Sequence, residues 1–84
     1  MTERAAMIGY NIHTIREAKG LSVIETCKRA DISKQTLWGI ENGHVNPKVS
    51  TVVSIATALE VPVGLFFEKK IKCTLLVKPD KQAI

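Results

Sequence analysis

Two helix-start signals follow each other closely in this chain, and they most constrain how it folds. Ser22, with Glu25 three residues later, has the pattern of a capping box, and Ser33 is a second N-cap candidate. The helix that begins at Ser22 is predicted to run to about Ala30, so only residues 31–33 separate it from the next helix. A connection this short forces the two helices to cross steeply and to touch.

Periodic apolar residues predict a longer helix before this pair, over about residues 5–19. Its apolar stripe consists of Ile8, Ile12 and Ile15, which fall on one face at helical spacing. Gly20 follows and is expected to end the helix in the left-handed conformation.

Three further helices are predicted after residue 33. The first of them covers residues 34–42 and ends at Gly43. Ser50 is expected to cap the next helix, which runs to Leu59. A short fifth helix is predicted through residues 65–67.

The length of 84 residues leaves room for one domain, with the helices packed closely or supported by a partner subunit. Hydrophobic residues make up 45% of the chain and aromatic residues only 5%, which favours an aliphatic core between helices. No apolar run approaches the roughly 20 residues that a membrane span needs. No signal peptide is recognised either, so we expect a cytoplasmic protein that does not contact a membrane.

Charge and cysteine content limit the kinds of ligand and site that the sequence suggests. The formal net charge of +4 permits contact with a polyanion without establishing it. Cys27 and Cys73 are expected to be reduced thiols, with Cys27 as a small buried residue, and their spacing does not suggest zinc. No nucleophile with its base, metal cluster or phosphate cradle is recognisable. We therefore expect a protein with no cofactor, no metal and no enzymatic activity.

Residues 69–84 are predicted to form a C-terminal extension. Cys73, Leu75 and Val77 alternate with other residues within positions 72–78, which indicates a strand. Residues 79–84 are typical of a frayed tail. An exposed strand without a strand partner in its own monomer is expected to pair with a second copy across a two-fold axis.

The order of these features resembles the Cro and phage-repressor class of helix-turn-helix proteins, also called the XRE-like family. The segments that carry the resemblance are residues 19–22, 30–37, 40–43, 46–47, 52–59 and 61–63. The resemblance covers roughly residues 8–67 and implies an all-α, five-helix lambda-repressor-like domain over residues 5–68. It also implies a sequence-specific transcriptional regulator, interpreted as a repressor, that binds double-stranded DNA.

In such proteins the helix that corresponds to residues 34–42 enters the major groove. The implied base contacts are Lys34, Gln35, Trp38 and Gly39. The amide of Gln35 suits adenine, and the amine of Lys34 suits guanine or a phosphate. The alternative for both is a solvated polar side chain on a helix face. The candidates for phosphate contact are Ser33, Thr36, His44, Asn46 and Lys48.

Trp38 and Gly39 are unusual on the outward face of a recognition helix. Trp38 is open to three interpretations: contact with a thymine methyl group and sugars, burial against a protein partner, or packing onto the loop near Val45. Gly39 costs helix stability, by roughly 1 kcal/mol. Its expected benefit is a close approach of the backbone to DNA.

The resemblance also implies an ion pair between Arg16 of the first helix and Glu41 of the third. We interpret this pair as structural, with a phosphate contact by Arg16 as the alternative. Three residues depart from the family pattern: Val23 replaces glutamine, Thr26 replaces leucine and Asp31 replaces the turn glycine. Without that glutamine, one hydrogen bond to phosphate or to the recognition helix is absent. Asp31 is expected to adopt a left-handed conformation at some cost.

A single module of this size buries too little surface for tight specific binding, so we expect a homodimer that reads half-sites about 34 Å apart. The candidates for its interface are Leu65, Phe66, Phe67, Cys73, Leu75 and Val77. For the phenylalanines, closure of the monomer core is an equal alternative. The alternative function is a protein-binding module or an antitoxin-type regulator that uses the same fold to bind a protein partner.

Overall fold

The computed structural model describes residues 3–68 and contains four α-helices and a short 3₁₀ helix. Their bounds are α1 Glu3–Ala18, α2 Val23–Ala30, α3 Lys34–Glu41, α4 Val49–Leu59 and the 3₁₀ helix Val63–Phe67. The all-α class predicted from the sequence is confirmed. The expected fifth helix is present as a 3₁₀ helix rather than an α-helix. The strand predicted at 72–78 and the tail at 79–84 lie outside the described residues.

One aliphatic core joins all five elements. The predicted stripe on α1 is confirmed, because Ile8, Ile12 and Ile15 are all buried. The other large side chains of the core are Leu37, Ile40, Val52, Ile55, Leu59 and Phe66. Within residues 3–68, no helix is long and apolar enough to cross a membrane.

The helix-turn-helix pair begins with two side-chain caps, as predicted. The hydroxyl of Ser22 accepts a hydrogen bond from the backbone N–H of Glu25, and the hydroxyl of Ser33 accepts one from Thr36. The capping box is only half formed, because the carboxylate of Glu25 accepts a hydrogen bond from Arg29 of the next turn. A charged partner four residues along the helix competes for that carboxylate.

The prediction that Ser50 caps α4 is wrong. The helix begins at Val49, and Lys48 occupies the N-cap position without a side-chain cap. The backbone carbonyl of Lys48 already accepts the first intrahelical bond, from the N–H of Val52 at 3.0 Å. Ser50 therefore lies inside the first turn, where a cap cannot form.

Phe66 was a candidate for the dimer interface, and the structure corrects this. Its side chain is fully buried in the monomer core. The amide of Asn11 in α1 donates hydrogen bonds of 2.7 Å to the backbone carbonyls of Phe66 and Glu68. These bonds fix the 3₁₀ helix on α1 with Phe66 facing inward and Phe67 facing out. The sequence could not show this, because adjacent phenylalanines in a short helix point in different directions.

Helix α1 approaches α3 closely at Gly9. A Cβ atom added there would overlap the carbonyl oxygen of Ile40 and lie 3.1 Å from that of Glu41. The backbone of α3 thus occupies the space that any side chain at position 9 would need. This contact sets the distance between the longest helix and α3.

A residue in the left-handed conformation follows each of the four α-helices, and after α3 it is Gly43, with a φ of +73°. Gly20 has a φ of +72°, as predicted for a helix stop, and Asp31 has a φ of +60° in the turn before α3. Glu60 also has a φ of +60° at the end of α4. An L-residue pays an energetic cost in this region, and Glu lacks the short polar side chain that helps Asp.

Replacement of Glu60 with glycine is expected to raise the free energy of unfolding by roughly 0.5–1 kcal/mol, because glycine adopts positive φ without steric cost. Denaturation with urea measures the change. Thr57→Gly, at an exposed site within α4, is the matched control and should lower stability by roughly 0.3–0.5 kcal/mol, the difference in helix propensity between threonine and glycine. Equal losses in both variants would show that position 60 is not strained.

Candidate nucleic-acid interface

The turn between α2 and α3 orients α3 through backbone and core contacts. Asp31 ends α2 in the left-handed conformation, and the N–H of Ile32 donates to the carbonyl of Cys27 at 3.1 Å. Ile32 packs partly buried against the core, and Cys27 is buried in α2, as predicted for both. Burial raises the pKa of the Cys27 thiol, so it stays protonated. The turn therefore holds α3 through small and aliphatic side chains.

Three of the sequence-predicted base contacts share one exposed face of α3. Lys34, Gln35 and Trp38 are exposed, whereas Leu37 and Ile40 behind them are fully buried. Positions 34, 35 and 38 lie within one helical turn of each other and so face the same side. This face presents an ammonium group, an amide and an indole ring together.

Gly39 does not belong to this face, which corrects the fourth predicted base contact. It is buried, and the two methyl groups of Val45 lie 3.6 and 3.7 Å from where its Cβ would be. The loop after α3 folds back and covers it. Its backbone is therefore shielded by Val45 and is not available for the close approach to DNA that we expected.

Trp38 and His44 form a stacked aromatic pair at the edge of α3. Their ring centroids are 5.1 Å apart and the ring planes differ by only 8°. The loop holds His44 in place, since its N–H donates to the carbonyl of Gly39 at 2.8 Å. The indole nevertheless remains 59% exposed. Trp38 thus packs onto the loop, as one of the three interpretations has it, and still offers surface to a ligand.

The sequence-predicted phosphate contacts lie at the start of α3 and in the loop that follows it. Ser33 and Thr36 are at the start of α3, where the Ser33 hydroxyl donates to the Thr36 hydroxyl at 2.8 Å. The helix dipole favours negative charge at this end. His44, Asn46 and Lys48 are exposed in the loop that follows α3. All five candidates for phosphate contact are thus exposed, and His44 is the one that stacks on a residue of the exposed face of α3.

An ion pair between Arg16 and Glu41 connects α1 to the end of α3. Nε of Arg16 lies 2.7 Å from Oε2 of Glu41, Nη2 lies 3.2 Å from Oε1, and both side chains are only 8% exposed. Nη1 also donates to the carbonyl of Leu21 at 2.9 Å. The hydrogen bond to Glu41 raises the pKa of Arg16 despite the opposing effect of burial. These bonds occupy the guanidinium, which disfavours the alternative of a phosphate contact.

Sequence reasoning missed three residues that support α3. Gly9 permits the close approach of α1, Asn11 fixes the 3₁₀ helix, and Nδ1 of His13 lies 3.1 Å from Oε1 of Glu41. The only available signal was position, since all three lie between residues of the α1 stripe. A polar residue or a glycine beside a core stripe does not reveal its partner in another helix.

The remaining candidates for the dimer interface differ in exposure or lie outside the described residues. Phe67 is 46% exposed, and Leu65 is partly buried against the core. Cys73, Leu75 and Val77 lie outside the described residues.

In residues 3–68, no group of three His, Cys, Asp or Glu side chains is placed to hold a metal ion.

Comparison with known proteins places these features in a family context. A family model described as helix-turn-helix matches residues 12–66. The chain is 38% identical over 55 residues to the uncharacterized HTH-type transcriptional regulator y4dJ of Sinorhizobium fredii (strain NBRC 101917 / NGR234), which covers 66% of this chain and 71% of that protein. It is 32% identical over 57 residues to the immunity repressor protein of Bacillus phage phi105, over 68% of this chain and 40% of that protein.

A third relative and a solved structure extend the comparison. The HTH-type transcriptional regulator SutR of Escherichia coli (strain K12) is 29% identical over 85 aligned positions, which span the whole of this chain but 48% of that protein. The restriction-modification controller protein C.AhdI from Aeromonas hydrophila superposes with a TM-score of 0.73 and 25% identity, over 75% of this chain and 96% of that chain. The chain thus spans less than half the length of the phage repressor and of SutR.

Proposed function

The chain belongs to the Cro and phage-repressor-like (XRE) family of helix-turn-helix proteins, and we propose that it is a transcriptional regulator that reads the DNA major groove with α3. The observation that carries the proposal is the exposed face of α3, where Lys34, Gln35 and Trp38 stand together in front of a fully buried face. An α-helix with such a face fits the width of the major groove. The proposed action is binding alone, without catalysis.

The side chains on this face match the chemistry of base edges. The amide of Gln35 both donates and accepts, which suits N6 and N7 of adenine. The ammonium group of Lys34 suits the acceptors of guanine or a phosphate. Gln35 is therefore proposed to set sequence preference, and Lys34 to add affinity with some preference.

Around this face, the phosphate contacts are proposed to fix α3 in the groove. Thr36 and the backbone amides at the start of α3 meet one strand, together with Ser33. His44, Asn46 and Lys48 meet the backbone from the following loop. Of these, Lys48 carries a full positive charge and an exposed side chain.

Two substitutions separate base readout from backbone contact. Gln35→Ala is expected to weaken a specific duplex by roughly 1–3 kcal/mol and to relax the preference at one base pair. Lys48→Ala is expected to weaken all duplexes alike and to reduce the salt dependence by the equivalent of about one phosphate. Titrations of specific and scrambled duplexes at several salt concentrations measure both effects.

Thr57→Ala, at an exposed site on α4, serves as the control that should leave binding unchanged. If Gln35→Ala and Lys48→Ala also bind specific DNA like the wild type, the proposed DNA face is placed on the wrong surface.

We further propose that the regulator is a homodimer that represses its target genes. Two copies reading two half-sites supply the contact area that one small module lacks. Phe67 is proposed as the interface residue within the described part of the chain, because a large apolar side chain that is 46% exposed gains from burial against a partner. Leu65 lies beside it, and Cys73, Leu75 and Val77 are proposed to extend the interface.

The two adjacent phenylalanines offer a matched test of this interface. Phe67→Ala is expected to weaken dimerisation in sedimentation experiments while changing the thermal stability of the monomer little. Phe66→Ala is expected to unfold the chain, since loss of a buried phenylalanine costs about 3–5 kcal/mol. Unchanged association in Phe67→Ala would remove this surface from the interface.

A second candidate function is binding of a protein partner through the same face, as in an antitoxin-type regulator. The observation that favours it is Trp38, since an exposed tryptophan is a frequent anchor in protein interfaces. Salt dependence separates the two functions: DNA binding through phosphates weakens steeply with salt. A complex held by Trp38 in an apolar pocket would depend on salt only weakly.

A further inference from the structure

The stacked pair of Trp38 and His44 holds an aromatic surface ready on the exposed face of α3. The two rings are stacked and nearly parallel, with centroids 5.1 Å apart. Three backbone or side-chain hydrogen bonds fix the segment that links them: the amide N–H and the side-chain amide of Asn42 both donate to the carbonyl of Trp38, and the N–H of His44 donates to that of Gly39. The indole is therefore positioned before any ligand binds.

A preorganised ring loses little conformational entropy when it makes a contact. Trp38 is 59% exposed, so apolar surface remains available for burial. Val45 lies over the next residue, Gly39, and is itself exposed. The edge of α3 thus carries an apolar surface next to the polar groups of Gln35 and Lys34.

The position of Trp38 on α3 determines which base pair its apolar surface would contact in the major groove. Trp38 follows Gln35 by three residues, which is about 4.5 Å along the helix axis. Base pairs are spaced by about 3.4 Å, so Trp38 faces a pair one or two steps from the one that Gln35 reads. The apolar group that base edges present in the major groove is the 5-methyl group of thymine. Cytosine presents a methyl group at the same carbon only when it is methylated.

We infer that the Trp38–His44 pair reads the methyl group at position 5 of a pyrimidine, beside the base pair that Gln35 contacts. This inference rests on the proposed DNA-binding function. Trp38 makes the contact, and His44 is a positioning residue that holds the indole by stacking. The methyl group of thymine and that of 5-methylcytosine offer the same contact, and they are separated in the experiment.

The experiment uses the duplex that the protein itself selects from a random pool. Each thymine is replaced singly by deoxyuridine, which removes only the methyl group, and each cytosine by 5-methylcytosine, which adds one. The wild type is expected to bind one deoxyuridine duplex about fourfold more weakly for each substituted half-site, the effect of burying one methyl group. A comparable gain at a 5-methylcytosine would identify methylated cytosine as the preferred source instead.

Protein variants show whether Trp38 and His44 are responsible for the discrimination between methylated and unmethylated pyrimidines. Trp38→Ala is expected to bind the thymine and deoxyuridine duplexes equally, and His44→Ala to lose most of the discrimination. His44→Tyr, which retains a ring for stacking, is expected to restore it. Tyr10→Ala, which removes a similarly exposed aromatic ring from α1, is the control that should retain full discrimination. If Trp38→Ala binds too weakly to measure, the His44 variants carry the test.

The outcomes distinguish the inference from the function on which it rests. If no duplex is selected, the proposed function fails. If a duplex is selected but no methyl group affects wild-type binding, the inference is overturned. It is also overturned if Trp38→Ala and His44→Ala both discriminate between the thymine and deoxyuridine duplexes as the wild type does. The inference is likewise overturned if His44→Ala lowers the salt dependence but leaves methyl discrimination intact, since the phosphate contact is then the whole role of His44.

Discussion

Replacement of Gly9 with alanine is expected to lower the free energy of unfolding by about 3 kcal/mol, the upper end of the usual cost of overpacking. The added methyl group would overlap the carbonyl oxygen of Ile40, and that oxygen belongs to the backbone of α3. Helix α3 must then move away from α1 as a unit. The usual gain of about 1 kcal/mol from replacing glycine with alanine in a helix is too small to offset this.

Gly39 provides the matched control, since it also lies within a helix and is buried. Alanine there would meet only the methyl groups of Val45, at ordinary contact distances of 3.6 and 3.7 Å. Gly39→Ala is therefore expected to stabilise the fold, by roughly 0.5–1 kcal/mol. Urea denaturation of both variants gives the comparison. A Gly9→Ala variant as stable as Gly39→Ala would show that α1 and α3 are not in close contact.

Replacement of Glu41 with glutamine is also expected to lower the free energy of unfolding substantially. Glu41→Gln leaves the guanidinium of Arg16 almost fully buried beside an amide instead of a carboxylate. Loss of one partner from a buried pair costs about 3–5 kcal/mol, against roughly 0–1 kcal/mol for an exposed pair. Because both side chains retain 8% exposure at the protein surface, we expect about 2–3 kcal/mol, between these limits.

The ion pair between Glu25 and Arg29 is the matched control, with side chains 44% and 41% exposed. Glu25→Gln is expected to cost less than about 0.5 kcal/mol. A double variant Arg16→Met with Glu41→Leu should recover part of the loss, because no charge is then left buried. Equal costs for Glu41→Gln and Glu25→Gln would show that the Arg16–Glu41 pair contributes no more than a surface contact.

Arg16 does not change its protonation state under the conditions in which the stabilities of the Glu41 and Glu25 variants are compared. Its pKa in the folded protein is raised from an already high value, first through the hydrogen bond to Glu41. A raised folded-state pKa gives stability that is complete below the unfolded pKa and is lost only as pH rises through the folded one. The contribution of the guanidinium is therefore constant over about pH 5 to 9.

The features that sequence predicted correctly are those determined by neighbours in the chain. The caps at Ser22 and Ser33 and the left-handed stop at Gly20 depend on local hydrogen bonds and backbone freedom. The stripe on α1 depends on helical periodicity alone. These are short-range effects that residue type and spacing express directly.

The features that sequence missed depend on contacts between distant segments. Gly39 was assigned to the outward face of α3, but the following loop covers it with Val45. Phe66 and Phe67 look alike in sequence, and the bonds from Asn11 fix which of them enters the core. Ser50 was expected to cap α4, although the helix begins before it. In each case tertiary packing decided between alternatives that were locally equivalent.

The central claim is that α3 reads DNA sequence, and it is tested most directly by selection of random duplexes with the purified protein. The wild type and Gln35→Ala are compared at two salt concentrations, with the bound duplexes sequenced. The account predicts a motif with two related halves that weakens at high salt and loses one position in the variant. A folded protein that selects no motif, or the same motif with and without Gln35, would contradict it.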